Sequence, residues 1–253
     1  MLTASVYKRD YDMSKLNKQR IFNKIARDIK EIKIQGARNI ARQALKAYSL
    51  IPTEESKKKL LSLRPTEPML EKVLNLTNKL PEKEIQKHFD SAQDKINKIV
   101  FKIINNNDVI FTHCHSTNVS NALIYAKKKG KKFQVYNTET RPLYQGRLTA
   151  RELARTGIKV TMFVDSALED AMSGEGKLKK TTKVFLGADA LLKQGIINKV
   201  GSELVSIIAG DKEIPVYIIA DSWKFTRRKI QIEQRKLKEI WTRAPKNIKI
   251  KNP

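Results

Sequence analysis

The pattern of apolar residues changes at Asp108, and this change constrains the fold more than any other feature of the sequence. Before it, apolar residues recur at helical spacing, as in the i, i+4, i+8 stripe that begins at Ile21. After it, apolar runs of strand length appear, and most of them precede a helical segment. The pattern predicts an N-terminal helical domain, residues 1–107, followed by a Rossmann-like parallel-sheet α/β domain, residues 108–253, which ends in a basic tail.

Caps and helix breakers divide the N-terminal pattern. Ser14 is expected to cap the first helix, and Gly36 to separate it from a second. Pro81 is expected to open a long helix that ends at the three asparagines 105–107.

Five apolar runs are expected to form the sheet: Val109–Phe111, Phe133–Tyr136, Val160–Val164, Val184–Leu186 and Val216–Ala220. Their near-continuous apolar character indicates parallel strands that are covered by helices on both faces. No GxGxxG motif follows the first run, which argues against a dinucleotide, and we expect no cofactor.

The charge of the chain limits the classes of ligand. The chain carries 51 Lys and Arg against 26 Asp and Glu, a formal net charge of +25, so polyanions are the expected partners. Nucleic acid, phosphorylated metabolites and acidic proteins all qualify. Dispersed lysines are equally typical of an ordinary solvated surface, so charge alone does not separate an RNA-binding protein from an enzyme that acts on phosphates.

Cysteine content and hydropathy exclude other classes. One cysteine excludes an internal disulfide and a zinc site built on several thiolates. No apolar run approaches the roughly 20 residues of a membrane span, and the N-terminus lacks an apolar signal core. We therefore expect a soluble, cytoplasmic protein.

Chemically active side chains follow the predicted strands directly. Ligands of open α/β sheets bind beyond the carboxyl ends of the strands, so these residues are expected to share one rim. They comprise a thiol, two imidazoles, carboxylates and an arginine: His113, Cys114, His115, Glu139, Arg141, Asp165, Asp189 and Asp221.

Cys114 and Asp189 each allow an ordinary interpretation as well as a functional one. Free cysteine is usually a small buried apolar residue, but a helix starting near Ser116 would lower the pKa of the Cys114 thiol and prepare it for proton transfer. Asp189 could cap a following helix, whereas Gly187 before it would let the backbone approach a ligand. Adjacent residues of a strand point to opposite faces, so His113, Cys114 and His115 cannot easily share one ion, and we expect no metal site.

Several blocks of the sequence together resemble one family. The blocks are Thr112–Ser116, Glu139–Pro142, Gln145–Ala150, Gly187–Ala190, Asn198–Lys199 with Gly201, and, in the helical half, Gly36–Ala37 and Arg64–Thr66. They are similar to the family that joins archaeal ribose-1,5-bisphosphate isomerases, methylthioribose-1-phosphate isomerases and the regulatory subunits of translation initiation factor 2B. The resemblance covers about residues 30–251.

The resemblance implies an enzyme. Cys114 and Asp189 match the catalytic pair of the isomerase branch, and the initiation-factor branch typically lacks the cysteine. The implied reaction is the isomerisation of ribose 1,5-bisphosphate to ribulose 1,5-bisphosphate in nucleotide salvage. One of the pair would exchange a proton with a sugar oxygen and the other would handle the carbon-bound hydrogen; their order, and the choice between proton and hydride transfer, stay open. The alternatives are a non-catalytic initiation-factor-2B-like subunit that binds nucleotide or sugar phosphate, and an RNA-binding protein.

The resemblance also implies a set of substrate-binding residues: Gly36, Ala37, Arg38, Arg64, Ser116, Arg141, Asn198, Lys199 and Lys224. Cationic side chains would bind the phosphates, and the backbone of Gly36 and Ala37 would donate from the start of a helix. Arg38 is included because Gln35 stands where the isomerases usually have an arginine.

The family further implies an AMP activator and a homo-oligomer, either a dimer or a hexamer. Relatives continue beyond the position of Pro253 with a strand and a helix, so we expect an uncovered sheet edge there. A second copy, or a separately encoded chain, would cover it.

Overall fold

A computed structural model describes residues 3–230 and 239–240 of the chain. Two units separate by their internal packing, Met1–Phe89 and Asp90–Pro253. The division lies inside the helix Glu82–Ile103, whereas the sequence pattern put the domain boundary after residue 107. Most of the basic tail, including Ile232, Leu237 and Trp241, and the expected edge at Pro253 lie outside the described residues.

The N-terminal unit is helical. Its elements are α1 (Thr3–Lys30), α2 (Ala37–Leu50), α3 (Glu54–Leu63), α4 (Pro68–Leu76) and the first part of α5 (Glu82–Ile103). Apolar residues of α1, α2 and α4 form its core, with Ile29, Ile40 and Leu74 fully buried. Thr53 caps α3, because its hydroxyl accepts the Ser56 N–H at 3.2 Å.

The predicted cap at Ser14 is wrong. Helix α1 begins at Thr3 and carries Ser14 in its interior. No glycine or proline stands between Thr3 and Ser14, so nothing in the local sequence stops the helix there. The expected helix break at Gly36 and the start of a helix after Pro81 are confirmed by α2 and α5.

Within the described residues, five parallel strands form the sheet of the second unit. They are β1 (Val109–Thr112), β2 (Gln134–Thr138), β3 (Lys159–Phe163), β4 (Lys183–Leu186) and β7 (Val216–Ile218), in the order β3-β2-β1-β4-β7. The connecting helices are α6 (Thr117–Lys128), α7 (Gln145–Ala154), α8 (Leu168–Ser173) and α9 (Ser202–Asp211). The predicted α/β class with a helical N-terminal region is therefore confirmed.

Both faces of the sheet are covered. On one face, Ile110 and Phe185 pack with α5, α6 and α7 through residues such as Val100 and Leu123. On the other face, strand residues including Phe111 pack with α8 and α9. All four residues of β1 are buried, which explains why this strand shows no polar alternation.

A short antiparallel hairpin, β5 (Ala190–Leu192) with β6 (Gly195–Ile197), follows β4 and was not predicted. Its strands are three residues each, too short to produce a readable pattern. Among the described residues, no helix combines the length and the apolar character that crossing a membrane requires.

Candidate active site

The strand order reverses beside β1, and this switch point brings Cys114 and Asp189 to one place. The chain leaves β1 for β2 on one side and returns to β4 on the other, with Thr112 opposite Phe185. Cys114 follows β1 and Asp189 follows β4, so both lie beyond the carboxyl ends of adjacent parallel strands. Such switch points are where open α/β sheets bind their ligands.

The backbone of Cys114 is held in a left-handed conformation. Its φ is 69°, which is uncommon for a residue with a Cβ. The Cys114 N–H donates to Thr140 Oγ1 and the Cys114 carbonyl accepts from the Thr149 hydroxyl, each at 3.0 Å. A residue in this conformation costs about 1–3 kcal/mol and persists only where the surrounding structure holds it. These two bonds hold the Cys114 backbone and thereby fix the direction of the thiol.

Burial raises the pKa of the Cys114 thiol to about 12. The negative charges of Asp189 and Asp165 raise this pKa further, while the backbone N–H of His115 and the charge of Lys199 lower it. The predicted net lowering of this pKa is therefore wrong, because loss of water outweighs the favourable His115 N–H and the Lys199 charge. The thiol is protonated at neutral pH and can act as a proton donor.

Asp165 fixes the end of β2. Its Oδ1 accepts the Thr140 N–H at 2.8 Å and its Oδ2 accepts the Arg141 N–H at 2.6 Å. The sequence reasoning placed Asp165 on the rim but omitted it from the site residues. Its position directly after a strand was the signal that could have included it.

The position of Ser116 leaves no room for a side chain at residue 187. A Cβ at Gly187 would lie 2.6 Å from Ser116 Oγ, so only glycine allows the end of β4 to meet the start of α6. The Ser116 hydroxyl accepts the Val119 N–H at 3.5 Å and caps α6. The close approach expected at Gly187 is thus to a serine of the same unit.

The Asp189 turn is held at two points. The Asp189 N–H donates to the Ile197 carbonyl at 2.8 Å. Lys224, which is only 5% exposed, donates from Nζ to the Ala188 carbonyl at 2.6 Å. Strand β5 follows Asp189 directly, so this aspartate does not cap a helix.

The two histidines beside Cys114 have separate partners. His113 bonds Thr138 and Val200, while His115 Nδ1 lies 3.0 Å from Thr149 Oγ1 and 3.9 Å from Glu152 Oε2. Burial lowers the pKa of both imidazoles. Residues 3–230 and 239–240 contain no group of three His, Cys, Asp or Glu side chains that could hold a metal ion.

The loop before α9 carries Asn198 and Lys199. The Asn198 side-chain amide donates to Ser202 Oγ at 2.8 Å, and that hydroxyl donates to the Lys199 carbonyl at 2.7 Å. The Lys199 charge lowers the pKa of both Cys114 and His113, which places its ammonium group near the switch point.

Arg141 is exposed at the same rim. Its guanidinium lies 4.9 Å from the centre of the Tyr144 ring, bonds the Tyr144 hydroxyl, and donates to the Ile240 carbonyl at 3.3 Å. Arg147 stacks on the same ring at 3.8 Å and pairs with Glu139 at 2.8 Å. Sequence reasoning had not identified Tyr144 as the support for these two arginines.

The other four residues implied by the resemblance belong to the N-terminal unit. Gly36 precedes α2 with a φ of 82°, and Ala37, the first residue of that helix, is buried. Arg38 lies 5.9 Å from the centre of the Phe89 ring. Arg64 pairs with Glu67 at 3.3 Å, and both side chains are largely buried.

Comparison with known proteins identifies a family and a set of relatives. The model of the Initiation factor 2 subunit family matches residues 71–253. The chain is 36% identical to a ribose 1,5-bisphosphate isomerase of Pyrococcus furiosus over 68% of its own length, and 32% identical to one of Methanocaldococcus jannaschii over 94%. It spans 54% of the length of the first relative and 87% of the second.

A solved structure, that of a Pyrococcus horikoshii translation initiation factor eIF-2B, has a similar fold. It superposes with a TM-score of 0.77 at 25% identity and covers 91% of this chain and 88% of its own.

Proposed function

We propose that this chain, which belongs to the Initiation factor 2 subunit family, isomerises ribose 1,5-bisphosphate to ribulose 1,5-bisphosphate. The observation that carries the proposal is the meeting of Cys114 and Asp189 at the switch point of the sheet. The relatives that bear the isomerase name support it.

The protonation state of Cys114 suggests how the pair divides the chemistry. Ring opening at carbon 1 leaves the ring oxygen in need of a proton, and the buried thiol, with its pKa of about 12, carries one at neutral pH. The hydroxyl on carbon 2 must lose its proton to become a ketone oxygen, and the Asp189 carboxylate accepts that proton in our proposal. The bond between carbon 1 and the ring oxygen breaks, and the hydrogen on carbon 2 moves to carbon 1 with its bonding electron pair. Asp189 then returns its proton to the Cys114 thiolate, so the reaction balances and the pair is regenerated.

Within the second unit, Arg141, Lys199 and Asn198 would bind phosphate near the catalytic pair. Binding of phosphate by Gly36, Ala37, Arg38 and Arg64 of the N-terminal unit stays a prediction of the family resemblance. Ser116 would donate from the start of α6. Lys224 is better suited to supporting the Asp189 turn, since its ammonium already bonds the Ala188 carbonyl.

The first experiment is product analysis with ribose 1,5-bisphosphate. Cys114→Ser and Asp189→Asn should each reduce turnover by about 100-fold or more while substrate binding persists. Asp211→Asn, an exposed aspartate at the end of α9, is the matched control and should retain full activity. Wild-type turnover in either catalytic variant would remove that residue from the mechanism.

The second candidate is a non-catalytic subunit that binds nucleotide or sugar phosphate. The similarity to the solved initiation-factor structure favours it. Binding of the sugar bisphosphate or AMP without product formation by the wild-type chain would select this alternative.

Regulation and assembly are part of the proposal. We expect AMP to increase turnover and the chain to form a homodimer or a larger homo-oligomer. Parallel assays with and without AMP test the first expectation. Light scattering at micromolar concentration tests the second, and an active monomer would contradict it.

A further inference from the structure

We propose that His113 is a positioning residue that ties the Cys114 loop to the Lys199 loop through one continuous chain of hydrogen bonds. The inference rests on the proposed function, which gives these two loops a role in catalysis. The hydrogen bonds themselves do not depend on that function. His113 is 4% exposed and lies between the ends of β1 and β2 and the loop before α9.

One ring nitrogen of His113 leads to the backbone of Cys114. Nδ1 is 2.6 Å from Thr138 Oγ1, which is 3.3 Å from Thr140 Oγ1. Thr140 Oγ1 in turn accepts the Cys114 N–H at 3.0 Å. Both threonines are fully buried, so water does not compete for these bonds.

The other ring nitrogen leads to the Lys199 loop. Nε2 is 2.8 Å from the Val200 carbonyl, which can only accept, so the hydrogen lies on Nε2. In the neutral ring, Nδ1 then accepts from the Thr138 hydroxyl. Burial lowers the pKa of His113, in agreement with this state, although the bond to the Val200 carbonyl and the Asp165 charge both oppose the shift.

The loop is shaped to receive the imidazole. Gly201 has a φ of 96°, and a Cβ there would lie 2.9 Å from His113 Nε2. The next residue, Ser202, donates to the Lys199 carbonyl from both its N–H, at 3.1 Å, and its hydroxyl, at 2.7 Å. The chain of bonds therefore runs from the Cys114 N–H to the backbone around Lys199.

Both ring nitrogens are occupied, so His113 does not exchange a proton with substrate in this arrangement. Its effect is indirect. It holds the Cys114 backbone in its left-handed conformation and so keeps the thiol buried. It also holds the loop whose Lys199 charge acts on that thiol.

The test uses Cys114 itself, because it is the only cysteine of the chain. The rate of alkylation by iodoacetamide, followed against pH, reports the thiolate fraction without any substrate. The variants are His113→Leu, which removes both bonds, His113→Gln, which can keep a donor to Val200, and Thr140→Val. Thr181→Val is the control, because Thr181 is equally buried but its hydroxyl bonds the Ala171 carbonyl.

We expect loosening of the loop to admit water to the thiol and lower its pKa. Alkylation at pH 8 should be about tenfold faster for each pKa unit lost, in the order Leu, then Gln, then wild type. Thr140→Val should also be faster than wild type, while Thr181→Val should match wild type even if its melting temperature falls. The same His113 and Thr140 variants should lower kcat in the same order.

A wild-type alkylation profile in folded His113→Leu, or in folded Thr140→Val if the first variant does not fold, would overturn the proposal. A profile altered equally by Thr181→Val would show a general loss of stability and would also overturn it. If wild type forms no product with ribose 1,5-bisphosphate, the proposed function fails, whereas the alkylation result still decides the role of His113.

Discussion

Cys114 keeps its proton because of where the fold puts it. Burial is the largest cause of its raised pKa, and the nearby charges act in both directions. A cysteine before a helix would ordinarily have a more acidic thiol, and here that tendency is outweighed. The chemical consequence is a group that can donate a proton, as the proposed ring opening of a sugar would require.

Charge-removing variants should move the reactivity of this thiol in opposite directions. The wild-type alkylation rate should keep rising with pH towards about 12, well past the ordinary thiol value of 9.0. Asp189→Asn removes a negative charge that raises the pKa, so it should speed the reaction at a fixed pH, by up to about tenfold. Lys199→Ala removes a positive charge that lowers the pKa, so it should slow the reaction. Iodoacetamide labelling followed by mass spectrometry measures all three rates, and shifts of equal sign would contradict this account.

Helices and strands meet closely at the carboxyl edge of the sheet, and glycine is what allows it. A Cβ at Gly146, the second residue of α7, would lie 1.8 Å from the Thr138 carbonyl oxygen of β2. The obstacle is backbone, which cannot rotate away as a side chain can. The end of β2 and the start of α7 thus depend on this residue for their contact.

Gly146→Ala should destabilise the protein by about 1–3 kcal/mol or more, since it overpacks a rigid contact. Gly210→Ala is the matched control, because Gly210 lies in α9 and has nothing within 4 Å of an added Cβ. That change should be neutral or stabilise by about 0.5–1 kcal/mol through helix propensity. Urea unfolding of the two variants measures the difference, and equal stabilities would contradict the packing argument.

Two loops beyond the strands carry the cations proposed to bind phosphate. Arg141→Ala and Lys199→Ala should each raise KM by about tenfold or more, because each loses a charge-assisted bond worth roughly 1.5–3 kcal/mol. Steady-state assays with Lys193→Ala, an exposed lysine in the β5–β6 turn, provide the comparison. An unchanged KM in both loop variants would place the phosphates elsewhere.

The whole molecule carries a net charge of +25, which predicts attraction to any polyanion. If this charge is a surface property rather than an RNA site, RNA should bind weakly and without preference for sequence or structure. Its affinity should fall by orders of magnitude as salt rises from 50 to about 200 mM, because binding then rests on counterion release. Filter binding across salt concentrations measures this, and a tight, selective complex at physiological salt would make RNA binding the leading function.

Local sequence patterns were sufficient to identify most of the second unit. Strand-length apolar runs located β1 and β4, and the residues after them included Cys114 and Asp189. Such patterns succeed because apolar periodicity and helix breakers act between near neighbours along the chain. The family resemblance, carried by short blocks at the same strand ends, added the reaction.

The protonation of Cys114, the hairpin after Asp189 and the role of His113 were decided by the tertiary structure. His113 bonds a threonine 25 residues away and a carbonyl 87 residues away, and the charges on Cys114 come from three different loops. The helix that follows Cys114 could be predicted from the sequence. The burial that raises the pKa of its thiol could not. Desolvation and charge depend on distance in space, and only the folded sheet brings these groups together.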